Sequence, residues 1–443
     1  VQIAERIARA ITNGALKAGD RLPAGRELAR AAGTTPVTVS QAYRRLREKG
    51  LVVSRVGSGT YVAGLNPPAD RSEAVPDFIH LDRREPPPAL FPTEVIRQIM
   101  DRILDEEGGE AFAYGDPGGY APLHEVLLGQ LIDEGFATRE RDLVVFSGAQ
   151  QALSLLLRSH VQRGDWVLVE RPTYPGMLRL LEQAGARVEV VDTGPDGPDP
   201  DQIEHLLRAR PVRLFYTMPV YHNPTGICWS PDRQRRIAEL CEQRGVVLVE
   251  DDALGALDFG AGRQHSVSVN APACRNVVHI RSFSLVLMPG FRLGFCLAPR
   301  DLANTLKRAK EQADLLSSGF FQRVLCRFIS EGHLKRHLAV IEPYYRDLFD
   351  QATRLAETVL TPLGFAVETA LGGLSLWCRL PERLAPSAFQ RACIRAGVGI
   401  HAGDAYAPHD VTADQFAIDF GRLSPHILSA SFQRLARAAR NAE

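Results

Sequence analysis

GALKAGDRLPAGRELARAAGTTPVTVSQAYRRLREKGLVVSRVGSGTYVA, residues 14–63, is the stretch on which the reading of the chain's front turns. Just ahead of it Ile3, Ile7 and Ile11 recur every four residues, which predicts an amphipathic helix ending at Asn13-Gly14. After the turn at Leu22-Pro23, Arg26 to Ala32 reads as a second short helix closed by Gly33. Thr35 is placed to cap a third helix, with Pro36 at its first position, where a missing N–H costs nothing. On that helix Val39, Ala42, Tyr43 and Leu46 form one apolar stripe and leave Thr38, Gln41, Arg44 and Arg45 facing outward. Two short apolar runs, 51–53 and 60–62, then flank a segment containing Gly57 and Gly59, as in a β-hairpin wing.

Helix, helix-turn-helix and basic wing in this order form an arrangement that reads DNA, with the third helix sized for the major groove. Charge agrees with it. The chain is neutral overall, but residues 1–64 carry 11 Lys and Arg against 4 Asp and Glu, a net of +7, and the remainder balances this with −7. A small basic module joined to a large acidic one predicts a polyanionic partner for the first alone.

The same stretch resembles the GntR-family winged helix nearly end to end, through its L-P-x-x-R-x-L-A core and its closing G-x-G-T-Y-V. That resemblance implies a double-stranded operator DNA partner, with Arg26, Thr38, Gln41, Arg44, Arg45, Arg55 and Gly57 as contacts. Two positions depart from the family pattern. Ala24 stands where serine is usual and Pro36 where arginine is usual, so phosphate contacts there differ.

A chain of 443 residues with 45% hydrophobic content exceeds what one core supports. Asn66 to Glu73 is polar, proline-containing and aperiodic, and it reads as a linker. The predicted domains are therefore 1–64, a linker over 65–78, and 79–443, the last with a large lobe over about 110–330 and a small lobe formed by 79–109 with 331–443. In the second domain β-like runs at 143–146, 166–170, 187–191, 213–217, 246–250, 277–280 and 293–297 alternate with helical runs. This predicts an α/β fold with a mainly parallel sheet. Seven scattered cysteines show no metal or redox spacing, no run is apolar enough to span a membrane, and no signal peptide is evident, so the expectation is a cytoplasmic, metal-free protein.

Several segments sit at predicted strand ends, where such sheets place ligands. FSGAQQAL (146–153) opens a helix at Ala149 and Gln150, whose N–H groups suit a phosphate. RPTYPG offers the flat face of Tyr174, YHNPTG carries Asn223, LVEDD carries Asp251, and RSFSLVLMPGFRLGF supplies Ser282, Ser284 and Arg292. In this order they resemble the pyridoxal phosphate (PLP) site of class I, fold-type I aminotransferases. The resemblance assigns Asp251 to the pyridine nitrogen, Asn223 to the ring O3′, Ser282, Ser284 and Arg292 to the phosphate, and Tyr174 to ring stacking. Together with the winged helix, the architecture resembles the MocR/GabR regulators, whose aminotransferase-like body implies a homodimer and a small-molecule effector.

The pattern breaks where covalent chemistry resides. S-F-S is followed by Leu285 instead of the lysine that anchors PLP as a Schiff base and shuttles the substrate proton. Of the five lysines, Lys17 and Lys49 lie in the first domain, and Lys307, Lys310 and Lys335 lie on helices after the site, none of them at a strand end facing it. Ala253 and Leu254 stand where the family has a tyrosine, and Ala417 where an arginine clamps the substrate carboxylate; Arg422 is too far along to replace it. Groups acting on substrate are thus lost while those recognising ring and phosphate remain. The expectation is a non-catalytic regulator that binds PLP, pyridoxamine phosphate or a PLP–amino acid adduct non-covalently. The alternatives are a PLP enzyme using another lysine and a scaffold that binds no ligand.

Overall fold

The computed structural model describes residues 2–12, 16, 20–48, 51–55, 59–62, 74–408 and 414–442. At the front lie helices α1 (Gln2–Thr12), α2 (Gly25–Ala31) and α3 (Pro36–Glu48), then strands β1 (Val52–Arg55) and β2 (Gly59–Val62), paired antiparallel. The stripe Val39, Ala42, Tyr43 and Leu46 is buried against Ala4, Leu22, Ala29, Val52 and Val62. Polar bonds fix the joints of this small core. Thr35 Oγ1 accepts from the Thr38 N–H at 3.2 Å, capping α3, and the Tyr43 hydroxyl donates to the Pro23 carbonyl at 2.7 Å, tying α3 to the turn before α2. The Leu22 and Val62 N–H groups bond the Thr60 and Asp20 carbonyls, which lays that turn along the wing.

The second domain contains two sheets. Strand β3 (Ile79–Leu81) belongs to the smaller one, described below. The larger is built from β4 (Arg141–Phe146), β5 (Trp166–Arg171), β6 (Arg187–Gly194), β7 (Gly197–Pro198), β8 (Val212–Thr217), β9 (Val247–Asp252), β10 (Val277–Ser282) and β11 (Gly294–Pro299), in the order 4-11-10-9-8-5-6-7. Strands 6-5-8-9-10 run parallel, while β11 lies antiparallel between β10 and β4. The runs of Val, Leu and Ile in β5, β8, β9 and β10 are buried on both faces, as a helix-covered parallel sheet requires, whereas β6 is buried only in part. Right-handed crossovers then leave one end of the sheet bordered by the loops that follow the strands, and the site segments lie on those loops.

The smaller sheet adds β12 (Ala366–Val367), β13 (Ser375–Arg379), β14 (Val398–Ala402) and β15 (Gln415–Asp419), in the order 12-13-15-14-3. Its edge strand β3 pairs parallel with β14, so the two extremities of the domain meet in one sheet. The segment 79–109 is divided in its loyalties: β3 joins the small sheet, whereas the helix Thr93–Glu107 packs on Gly319–Ser330. Among the described residues, no helix is long and apolar enough to cross a membrane.

Candidate functional site

The helix Ala149–His160 begins directly after β4, with Gly148 at its N-cap and no side-chain cap. The first amides of a helix have no partner inside it and carry the positive end of its dipole. Gly148 takes φ +95°, and a Cβ there would stand 2.9 Å from Arg292 Nη2. A Cβ on Gly294 would meet the Arg281 carbonyl at 2.8 Å and the Ala149 nitrogen at 3.3 Å. Two glycines thus let a strand, a helix start and an arginine converge. Arg292 holds a left-handed backbone, φ +50°, and its Nη2 donates to the Ser147 carbonyl at 2.9 Å. Ser282 Oγ, buried at the end of β10, accepts from the Ser284 N–H at 3.1 Å. Helix start and guanidinium together form an anion cup, with the two serines at the end of the adjoining strand.

Asp251, near the end of β9, is buried and accepts from the Tyr216 hydroxyl at 2.9 Å. Burial raises its carboxyl from the ordinary 3.8 to about 6, against the opposing pull of Tyr216. Its neighbours in sequence are treated differently. Asp252 bonds Arg281, and Glu250 accepts from His279 and from two backbone N–H groups. Asp251 alone of the three bonds neither an arginine nor a histidine.

Tyr174 caps the helix Pro175–Ala184, and its ring covers Gly176, where a Cβ would fall 2.3 Å from Cζ. Its hydroxyl donates to Gln150 Oε1 at 3.1 Å, and Gln150 Nε2 donates to the Gly176 carbonyl. The Gln150 side chain is therefore turned to Tyr174, and only its backbone serves the cup. Tyr174, Ala149 and Ala253 all pack on one apolar cluster, and Ala253 touches the main core as well. Asn223 Oδ1 is buried without a hydrogen-bond partner, as is Thr173 Oγ1 beside Tyr174 in sequence, while His222 Nε2 faces Glu170 Oε2 at 3.5 Å. Orphaned polar atoms of this kind mark a place for a missing partner.

At the positions of loss, Leu285 packs against the main core, Leu254 is buried in it, and Ala417 is sealed beside Trp377 and Tyr406. Arg422 forms an ion pair with Glu85. Two residues that sequence reasoning passed over, Tyr216 and Arg84, belong to this neighbourhood, as does Lys310, which it set aside as lying on a helix after the site. Arg84 Nε bonds Asp419 at 2.7 Å across 335 residues of chain, a separation at which no local pattern betrays a pair. The buried Lys310 Nζ bonds Gln151 Oε1 at 3.0 Å and Asp314, and the same Gln151 oxygen accepts from the Ser147 N–H.

In the front domain Arg26, Thr38, Gln41, Arg44 and Arg45 are all exposed, the last four along α3. The Arg55 side chain and Gly57 lie outside the described residues.

The model for class I and II aminotransferases matches residues 88–437. The chain belongs to the class I and II aminotransferase family. The model for bacterial regulatory proteins of the gntR family matches residues 1–62 in front of it. This aminotransferase-family chain is 30% identical to the 2-aminoadipate transaminase of Thermus thermophilus, over 80% of the chain and 88% of the relative. It is 27% identical to YdfD of Bacillus subtilis, described as an uncharacterized HTH-type transcriptional regulator, over 92% of the chain and 89% of the relative. The structure of the α-aminoadipate aminotransferase LysN of Thermus thermophilus, complexed with N-(5′-phosphopyridoxyl)-L-leucine, superposes with a TM-score of 0.76 at 28% identity, covering 82% of this chain and 92% of that one. The regulator relative spans both domains, which gives the family chain the MocR-type arrangement that its sequence resembles.

The Asp251 carboxyl sets a pH signature for this family member. Its folded value, about 6, lies above the unfolded 3.8, so the fold retains the proton that the unfolded chain has lost. Asp251 therefore withdraws stability as pH rises from about 4 to 6, by at most ~3 kcal/mol. Asp251→Asn, which still accepts from Tyr216, is expected to raise the urea midpoint of the ligand-free protein at pH 7 to 8. The gain shrinks towards pH 4, and an equal effect at both pH values contradicts it.

Proposed function

We propose that the chain is a DNA-binding transcriptional regulator whose aminotransferase-like domain holds a B6 phosphate or its amino acid adduct without a covalent bond. The observation that carries this reading is the retained half-site: the cup at Gly148, Ala149 and Arg292, the uncompensated Asp251, the covering Tyr174 and the orphaned Asn223 oxygen stand together, while Leu285 occupies the lysine position. These residues fit the group. Arg292, Ser282, Ser284 and the amides of Ala149 and Gln150 would hold the phosphate, Asp251 the protonated ring nitrogen, Asn223 the ring hydroxyl and Tyr174 the ring face. When bound to an amine, such a ring supplies an electron sink. Leu285 can neither anchor it nor move a proton, so this chain's residues bind and orient it only.

A homodimer fits the surface near the helix Gly319–Ser330, where Phe112, Tyr114 and Leu315 expose large apolar side chains. Ligand binding changes operator affinity only through unequal affinity for two states of the dimer. Addition of pyridoxamine 5′-phosphate or a phosphopyridoxyl amino acid is expected to appear as non-covalent mass in native mass spectrometry and to shift operator affinity. A bare dimer with each ligand, and unchanged operator affinity, points to the ligand-free scaffold.

The rival covalent reading has one observation in its favour: Lys310 is buried, and desolvation lowers its pKa against the opposing pull of Asp314. Borohydride trapping with PLP decides between the two. The wild type is expected to yield no modified lysine, whereas Leu285→Lys gains a visible absorption band and a label mapped to position 285. A wild-type label at Lys310 overturns the non-covalent reading.

The DNA half of the proposal has its own measure. Arg45→Ala is expected to lower the slope of log affinity against log salt by about one, the signature of one lost phosphate contact. An unchanged slope removes Arg45 from the interface.

A further inference from the structure

Ala417 leaves the small-lobe side of the site without an arginine on β15, yet a guanidinium reaches that side from elsewhere. Alternation along β15 puts Ala417 and Asp419 on one face, about 7 Å apart. Cross-strand pairing adds Trp377 opposite Ala417 and Ser375 opposite Asp419. Asp419, only 1% exposed, receives hydrogen bonds from Arg84 Nε, Ser375 Oγ and His401 Nδ1, the last at 2.8 Å. Tyr406 sits over His401 and Trp377, and its carbonyl accepts from the Thr173 N–H at 2.7 Å. That backbone bond sets the cluster one residue from Tyr174. The Tyr174 phenol is raised by burial and by Asp251, and is drawn back by Arg179, Arg84 and Arg292. Asp251, Arg292 and Arg84 all act electrostatically on that phenol, which the Thr173–Tyr406 backbone bond joins to the Asp419 cluster.

We propose that Arg84 is the carboxylate receptor of this site, so that the effector is a B6-phosphate adduct of an α-amino acid in preference to the free vitamer. The inference rests on the B6 reading above and names the ligand class within it. The guanidinium offers five N–H donors in a fixed fork. Asp419 takes the Nε–H and orients the group, the Tyr406 hydroxyl bonds the guanidinium as well, and the donors left over are those that a ligand carboxylate would take. The side chain is 18% exposed, enough for a ligand to touch and too little for water to neutralise it. Asp419 also balances the charge when no ligand is present, since a lone guanidinium at this depth would be strongly destabilising. Its own burial would raise Asp419, but Arg84, His401 and Ser375 outweigh that and keep it ionised.

The test uses the full-length protein and titration calorimetry with three reduced, stable probes: N-phosphopyridoxyl-L-alanine, its descarboxy analogue N-phosphopyridoxyl-ethylamine, and pyridoxamine 5′-phosphate. Wild type is expected to bind the alanine adduct about tenfold or more tighter than the ethylamine adduct. Arg84→Gln should erase that difference and leave pyridoxamine phosphate within about twofold of wild type, while Arg84→Lys restores part of it. Because Arg84→Gln strands a buried carboxylate, the paired variant Arg84→Gln/Asp419→Asn removes both charges and should behave alike. Equal wild-type affinity for the two adducts overturns the proposal without any variant, as does a loss on Arg84→Gln that is the same for all three probes. If wild type binds none of the three, the B6 reading itself falls and takes the Arg84 assignment with it. If it binds all three alike, the B6 reading stands and Arg84 alone is refuted.

Discussion

The anion-binding half of this molecule depends on a close approach that only glycine permits. Gly148 and Gly294 carry no side chains where β4 turns into a helix and β11 begins, and so Arg292 can lie over the uncapped helix start and bond the Ser147 carbonyl. A methyl group on Gly294 would press on the Arg281 carbonyl, and at Gly148 the φ of +95° would strain any L side chain. Arg292 itself holds a left-handed backbone, which L side chains adopt at some expense. Tyr221 and Leu315 share that backbone, but the strain at Arg292 lies beside the first amides of the helix Ala149–His160.

Three consecutive acids show how selectively the interior treats charge. Burial would push Glu250 and Asp252 upward, but His279 and Ser268 in the first case, and Arg281, His279 and the Gly255 N–H in the second, more than offset it and hold both below their ordinary values. Both are structural acids. Glu250 secures the turn of the helix Val267–Asn270, and Asp252 joins Arg281, which also bonds Glu134. Asp251 bonds only the neutral Tyr216, and it is the member of the three that the site would present to a cationic ring.

The elements that were legible in the sequence are those whose signals are local. The caps, glycines and apolar stripe of residues 14–63 are sufficient for the winged helix, and the seven β-like runs correspond to β4, β5, β6, β8, β9, β10 and β11 within a few residues. The site segments were legible as well, because each follows its own strand. What stayed hidden was anything made by topology. Tyr216 reads as one more aromatic in a buried strand until β8 is laid beside β9, and only then does its hydroxyl meet Asp251. Lys310 reads as a polar position on the charged helix Arg300–Asp314, and the fold turns it inward onto Gln151. Gln150 was legible as a helix start, but the occupation of its side chain by Tyr174 was not.

The small sheet has a mechanical side. The chain enters the described part of the second domain at residue 74 and is gripped at once: Arg434 donates to the carbonyls of Pro76, Asp77 and Gly397, and Ile79 bonds Gly397 as β3 docks beside β14. Arg84 follows β3 by three residues and is pinned to Asp419 on β15. The first described residues of the second domain and Arg84 are thus the two ends of one short span. A displacement at Arg84 would travel ten residues to reach residue 74, past hydrogen-bonded anchorage at Gly397 and Arg434.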